Sequence, residues 1–297
     1  MKNRVLSLVV AAAAASVSSF AMAHDPQFAQ YYIGRDVRQT VPTGTYANLP
    51  NPNFNRLTLL FAHTYTATPD INHYHSKSTY SYFGPNLGAA TTVQPFNGNA
   101  AGLPSANFLP EGGTLGNSPR LQLLPGSGAF AGKFISGLAG LLTPHDEDFG
   151  KLELKSVDTL ASFAPGSPGN VLFVSGGAAP ANRWTGSMAG SNLTLVLVSI
   201  SSGLSVADLS GATVLSSPGD SVALGDGGAG LGFTPVLQTL SGNLANHSVT
   251  FKIVDSGTGN AGAPWLESGQ FVINAVVPEP AALGLLAPLA VMLLRRR

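Results

Sequence analysis

Between residues 24 and 277 the commonest pattern is alternation of apolar with polar positions. It runs through most of Arg56–Thr66 (RLTLLFAHTYT), Thr79–Phe83, Gly132–Ser136, Lys151–Val157, Asn170–Ser175, Leu193–Ile200 (LTLVLVSI), Val249–Asp255 (VTFKIVD) and Gln270–Val276. These runs are rich in Val, Leu, Ile, Phe and Thr and close in clusters of Gly, Pro, Asn or Ser, so each predicts a short β-strand. No stretch sustains a 3.6-residue period between an N-cap and a C-cap. Eight or more strands, without helices to carry parallel crossovers, predict an all-β body: an antiparallel β-sandwich of jelly-roll-like type. Within Arg56–Thr66 the pleat assigns Leu57, Leu59 and Phe61 to the core side and Thr58 and Leu60 to the opposite face. Gly84–Pro119, rich in Gly, Pro, Asn, Ala and Thr, has almost no charge or period and predicts a long irregular excursion. A single β domain over residues 24–276 accommodates all of this.

The two ends break the pattern in a different way. Residues 1–23 combine Lys2 and Arg4, an apolar stretch and an Ala21-Met22-Ala23 cleavage site before His24. That arrangement is a secretory signal peptide, here a helical segment removed by signal peptidase. At the other end, Pro278-Glu279-Pro280 precedes the apolar run Ala281–Leu294 and then Arg295, Arg296 and Arg297. Fourteen apolar residues are short for a bilayer span of roughly 20, but tilt and snorkelling of the Arg side chains relax the requirement. Terminal Arg residues stay cytoplasmic, which puts the body on the far side of the inner membrane with the tail inserted transiently. Pro-Glu-Pro, an apolar helix and a basic cluster together resemble the PEP-CTERM sorting signal. The resemblance implies that residues 277–297 are recognised and cut by an exosortase and that the body goes to the cell surface or the extracellular space. Extracellular polysaccharide is then a candidate partner.

Composition narrows the function classes. Charged residues make up 10% of the 297, against about a quarter in an average domain. Lys plus Arg and Asp plus Glu are 15 each, but without Lys2, Arg4, Arg295, Arg296 and Arg297 the chain carries ten basic groups against 15 acidic. A mildly acidic body argues against nucleic acid, whose phosphates need Lys and Arg. The absence of Cys excludes disulfides, thiolate catalysis and Cys-ligated zinc or iron–sulfur sites, so any metal must use His, Asp, Glu or backbone oxygen.

Histidine is where such chemistry concentrates. Of six His, four are His24, His63, His73 and His75. His73 and His75 are spaced i, i+2, which places them on one face of a strand, and His63 ends the apolar row Leu57–Leu59–Phe61. A hairpin through Thr68–Asn72 with its centre near residue 69 sets His63 opposite His75, with His73 one step along. Three imidazoles so placed form a facial set for zinc, the fourth position open to water, a carboxylate or His24. Imidazole must be neutral to ligate, so binding weakens below about pH 6. The competing reading is that these His are polar residues of an ordinary hairpin. If cleavage follows Ala23, the His24 amine and imidazole with His63 or His75 would instead form a T-shaped copper site of the kind used by oxidative polysaccharide-cleaving enzymes.

Other signals are weaker. Pro144-His145-Asp146-Glu147-Asp148 could meet a hard cation, but reads better as a solvated turn. Gly225–Gly230 matches Gly-x-Gly-x-x-Gly, yet Phe233-Thr234-Pro235 follows where a helix should start, so nucleotide binding is rejected. No Gly-x-Ser-x-Gly elbow or triad spacing is present, and Trp184 and Trp265 are expected as packing aromatics.

Several segments resemble a further family. They are Ile33-Gly34-Arg35-Asp36, Asn53–Leu60 (NFNRLTLL), His73-Tyr74-His75 with Tyr80–Pro85 (YSYFGP), Arg183–Ser187 (RWTGS), Leu197–Ile200 with Gly203-Leu204, and Leu266-Glu267-Ser268-Gly269. Together they resemble the PEP-CTERM proteins repressed by the zinc uptake regulator in Gram-negative bacteria. That resemblance implies expression under zinc shortage and an envelope role in zinc acquisition or handling, without catalysis; it carries no established catalytic residues. The chain departs from the Asp/Asn-His-x-x-His-x-His spacing expected of such relatives, reading Ala62-His63-Thr64-Tyr65 with a longer gap to His73. The expected function is therefore a non-enzymatic, exosortase-sorted protein that binds zinc. The alternatives are a structural matrix protein with no metal site and a copper oxidase using His24.

Overall fold

The computed structural model of the chain describes residues 31–41, 47–51, 53–63, 69–76, 78, 80–83, 92–95, 107–108, 121–137, 152–175, 183–243 and 246–277. The expected signal helix 1–23, the tail from Pro278 onward, His24, the 144–148 turn and most of 84–119 lie outside them. Among the described residues the architecture is almost wholly β, and no helix is long and apolar enough to cross a membrane.

The strands form three larger sheets and one hairpin. The first sheet runs β15 (Gly232–Phe233), β10 (Leu154–Ser156), β1 (Tyr31–Arg35), β2 (Leu57–His63), β3 (His73–Ser76). The second runs β14 (Ser221–Gly225), β11 (Leu193–Ile200), β17 (Asn246–Asp255), β18 (Phe271–Val276), β6 (Asn107–Phe108), with β7 (Leu121–Gln122) also on β18. The third runs β13 (Thr213–Leu215), β12 (Leu204–Ala207), β16 (Val236–Leu240), β9 (Lys133–Ile135), β8 (Leu124–Pro125); β4 (Tyr80–Phe83) pairs with β5 (Thr92–Pro95). Pairing is antiparallel except for β1 with β10 and β18 with β6 and β7. These exceptions correct the purely antiparallel expectation. They join segments far apart in sequence, where no hairpin dictates direction.

One apolar core joins the sheets. Tyr31 and Ile33 of β1 and Leu57, Leu59 and Phe61 of β2 share it with Leu195 and Leu197 of β11, Phe251 and Ile253 of β17 and Phe271 and Ile273 of β18. The Tyr31 and Phe61 rings lie 5.5 Å apart, and Phe251 and Phe271 5.7 Å. Val206 and Leu237 bring the third sheet into the same cluster. The inward row expected for β2 is therefore observed. Its other face is buried as well, since Leu60 and Ala62 pack with Tyr32, Tyr74, Val157, Leu160, Leu172 and Trp184. A strand covered on both sides has no solvent face to mark with polar residues, which explains the nearly unbroken run LTLLFA.

One expected strand is a helix. Asn170–Ser175 belongs to α1 (Pro168–Ser175). Its β-branched content suggested a strand, but the residues just before it start a helix. Ser167 Oγ accepts from Asn170 N at 3.4 Å, Asn170 Oδ1 accepts from Gly166 N at 3.1 Å, and Pro168 takes the first helical position. This is a variant of the reciprocal capping box, with Pro where its missing N–H is harmless. Leu172 then enters the second apolar cluster. Lys151–Val157 likewise narrows to β10, because Ser156 Oγ accepts from Asp158 N and starts a 3-10 turn over Val157–Leu160. Within the excursion expected to be irregular, β5 and β6 are strands.

Candidate functional site

The hairpin of β2 and β3 carries the histidines. Its register pairs Leu60 with Ser76, Phe61 with His75, Ala62 with Tyr74 and His63 with His73. His63 therefore stands opposite His73, not His75, which corrects the expected pairing by two residues. The cause lies in the connection. Pro69–Ile71 forms a 3-10 turn closed by Asn72 N donating to the Pro69 carbonyl at 3.0 Å, and Asn72 Nδ2 donates to the Pro168 carbonyl at 3.2 Å. The turn takes up the start of the return path and is held against α1, so β3 begins at His73 and pairs at once. A shift of two residues, unlike a shift of one, preserves the parity of the pleat.

Directly opposed residues in antiparallel strands have Cα atoms about 4.5–5.5 Å apart. The backbone thus sets His63 directly opposite His73, with His75 two residues along β3. His73 is half-buried, and the side chains of His63 and His75 lie outside the described set, as does His24. Among the described residues no group of three or more His, Asp or Glu gathers in one place. His63 and His73 are the two candidate donors that the backbone register opposes. Between His73 and His75 in sequence, Tyr74 points to the opposite cluster and meets Tyr32 edge-on, ring centroids 5.9 Å apart. Burial, reinforced by Tyr32, pushes its phenol pKa well up, and among the described residues its hydroxyl has no hydrogen-bond partner.

At the other end of β2 a polar junction forms that sequence reading did not foresee. Asp36 is fully buried, and its Oδ2 accepts from Arg183 Nε at 2.9 Å, Arg183 Nη2 at 2.6 Å and Asn51 Nδ2 at 3.0 Å. Arg38 N donates to its Oδ1 at 3.0 Å. Next to it, Arg35 donates to Asn55 Oδ1 at 2.7 Å and to the Ser187 carbonyl at 3.1 Å, with its guanidinium 4.1 Å above the Trp265 ring. At Gly186 a Cβ would run into the ends of the Val37 and Arg35 side chains, so a larger residue there would displace the Arg35 guanidinium. Asp158 accepts from Met188 N at 2.9 Å and Ser187 Oγ at 3.3 Å; burial raises its pKa, against those bonds and Arg35. Burial lowers the Arg35 pKa, with Asp158 and Asp36 opposing.

This junction is where four of the family-like segments meet. Asp36 N donates to the Arg56 carbonyl, Val37 N to the Arg183 carbonyl, and Leu266 N to the Asn55 carbonyl. Ile33–Asp36, Asn53–Leu60, Arg183–Ser187 and Leu266–Gly269 thus converge, although up to about 230 residues apart in sequence. Hydrogen bonds among these groups hold the distant segments together, while Arg35 Nε and Trp265 Nε1 are buried without a partner among the described residues. The available signal was scarcity: in a chain with so few charges, Arg35, Asp36, Arg38, Arg56 and Arg183 are conspicuous.

The remaining candidates are accounted for structurally. Gly227–Ala229 is a 3-10 turn capped by Asp226, which accepts from Gly228 N at 2.9 Å, and it leads into β15, so no helix N-terminus forms there. Trp184 and Trp265 are 3% and 8% exposed, as expected for packing aromatics, and each carries an Arg over its ring. His247, passed over in the sequence, is buried on β17, and burial lowers its pKa against a weaker opposing contribution from the Asn243 backbone. The sorting residues Pro278, Glu279, Pro280, Arg295, Arg296 and Arg297 lie outside the described residues. In comparisons with known proteins, no family model, curated protein or solved structure matches the chain.

Proposed function

We propose that the chain is an exported surface protein whose β-sandwich body, of jelly-roll-like type, binds zinc through His63, His73 and His75, with His24 as a further donor. The observation that carries this reading is the register, which sets His63 across from His73 at the end of a strand anchored in the core. Sheets packed on one shared core, with a third sheet joining the first two, support the sandwich. Support for export comes from the sequence: a cleavable segment over 1–23 and the Pro278-Glu279-Pro280 tail, cut by an exosortase. The role is zinc binding outside the inner membrane under zinc limitation, and no reaction is assigned. When bound, zinc would supply a tetrahedral centre for imidazole nitrogens at about 2.0–2.1 Å.

The test is metal analysis and calorimetric titration of protein purified with its native mature N-terminus. One equivalent of zinc, lost in His63→Ala and His73→Ala, is the expected result. No metal binding would replace this reading with a structural matrix protein. Copper binding that requires a free His24 amine would replace it with the copper oxidase.

A further inference from the structure

The last described strand fixes where the tail leaves the fold. β18 ends at Val276, paired with Asn246 of β17 and Gln122 of β7, and Val277 is buried. Only Pro278, Glu279 and Pro280 separate it from the apolar run that starts at Ala281. Four Cα steps extend at most about 14 Å, while a headgroup layer is on the order of 5–8 Å thick. The run Ala281–Leu294 has 14 residues, about 21 Å as a helix, against roughly 30 Å of hydrocarbon. A span that short is accommodated by thinning the bilayer or snorkelling its flanks, and both draw the attached fold toward the lipid.

The end of the molecule nearest this exit carries no acidic side chain among the described residues; its cation Lys133, opposite Leu240 in register, donates to Gln238 Oε1 at 2.7 Å. Residues Leu240–Asn243 lead toward β17 and rest on the turn Ser201–Gly203: Asn243 Nδ2 donates to Thr239 Oγ1 at 3.2 Å, and Thr239 Oγ1 donates to the Gly203 carbonyl at 2.8 Å. Ser201 N donates to the Ser248 carbonyl at 2.9 Å, tying the turn to β17 beside Asn246. Ser202, Gly203, Leu240, Ser241, Gly242 and Asn246 are exposed, Leu240 to 70%. The far end of β17 instead bears Lys252, paired with Glu267 at 2.8 Å, and Asp255. One exposed Leu carries nothing by itself; the length of the tether does.

We infer that, while the tail is retained, this rim is a membrane-facing surface: Ser202, Leu240 and Asn246 abut phospholipid headgroups, with Leu240 at the interface. The inference rests on residues 281–294 being inserted in a bilayer.

The chain has no Cys, so Leu240→Cys, Ser202→Cys and Thr258→Cys each create one labelling site. Each full-length variant, labelled with a fluorophore, is reconstituted in phosphatidylcholine–phosphatidylglycerol vesicles containing a headgroup-level quencher lipid, and vesicle flotation is measured in parallel. Labels at 240 and 202 should be quenched at least about twofold more than at 258, since β17 alone separates the ends by roughly 30 Å. A twelve-residue Gly-Ser insert between Val277 and Pro278 should abolish the difference while flotation persists. Flotation with equal quenching at all three sites overturns the surface and leaves the inserted tail standing. Failure to float, or flotation that survives truncation after Val277, overturns the tail insertion and the surface with it.

Discussion

The two ends of β2 use polar side chains in opposite ways. At Leu57 the strand emerges from a junction where Asp36, Arg183, Asn51, Arg35 and Asn55 bond to one another, so the charges serve the fold. At His63 the strand meets His73, and two residues of the same metal-ligating type stand opposed on the backbone. A buried carboxylate with several internal donors is committed to its neighbours, and opening it to a ligand would first break bonds that are costly to lose. Paired imidazoles have a different chemistry, since both can donate lone pairs to one cation. The difference teaches that density of polar groups does not by itself mark a binding site: the dense set here is bonded within the fold, and the sparser His pair is the one proposed to bind zinc.

The largest effect should come from the junction. Arg183→Met leaves Asp36 buried without its guanidinium and should cost about 3–5 kcal/mol of stability, read from urea unfolding. The double variant Asp36→Asn with Arg183→Met should recover part of that loss. Neither should change zinc stoichiometry per folded molecule, and a change would merge the two ends into one site. At the other end, His73→Ala should lower zinc affinity by at least roughly tenfold, because a ligand matters no less than its second-shell support. Without metal, its unfolding should stay within about 1 kcal/mol of the parent. A large loss of metal-free stability with unaltered zinc affinity would make the His hairpin as structural as the junction.

Tyr74→Phe sharpens the contrast within β3. Its hydroxyl is buried without a partner among the described residues, so removing it should leave stability unchanged or raise it by up to about 1 kcal/mol. A loss would mean that the hydroxyl does bond within the fold. The smallest effect concerns acid. His247 titrates below the ordinary imidazole value of about 6.5 in the folded chain. As pH falls through that value the unfolded chain takes up the proton first, so stability is whole above it and declines below. His247→Leu should flatten the decline between pH 7.5 and 5.5 in urea midpoints. Any acid-induced loss of zinc binding that remains in this variant then belongs to the hairpin.

Much of the fold was legible. β11, β17 and β18 alternate apolar with polar residues because one face meets the core, and their limits agree with the pattern to within a few residues. β1 was not legible, since YYIGR is buried on both faces and carries no alternation to detect. α1 was misread because Val171, Phe173 and Val174 suit a strand, while the deciding residues, Ser167 and Asn170, act through two capping bonds. The hairpin's histidines were found by their spacing and rarity. Their partnership was not, because a 3-10 turn and its Asn72 anchor on Pro168 shifted the return strand by two residues.

The sequence by itself determined the strand-forming runs, the apolar rows of β2 and the concentration of His in one short stretch. These are local properties, set by which residues alternate and which donors lie near one another along the chain. Tertiary structure alone decided that Asp36 meets Arg183 across 147 residues, that β1 lies parallel to β10, and that His63 faces His73. Each depends on how distant segments share a core and where a turn closes. A one-dimensional pattern does not encode that choice, because several registers bury the same apolar rows and only the packing around the turn separates them.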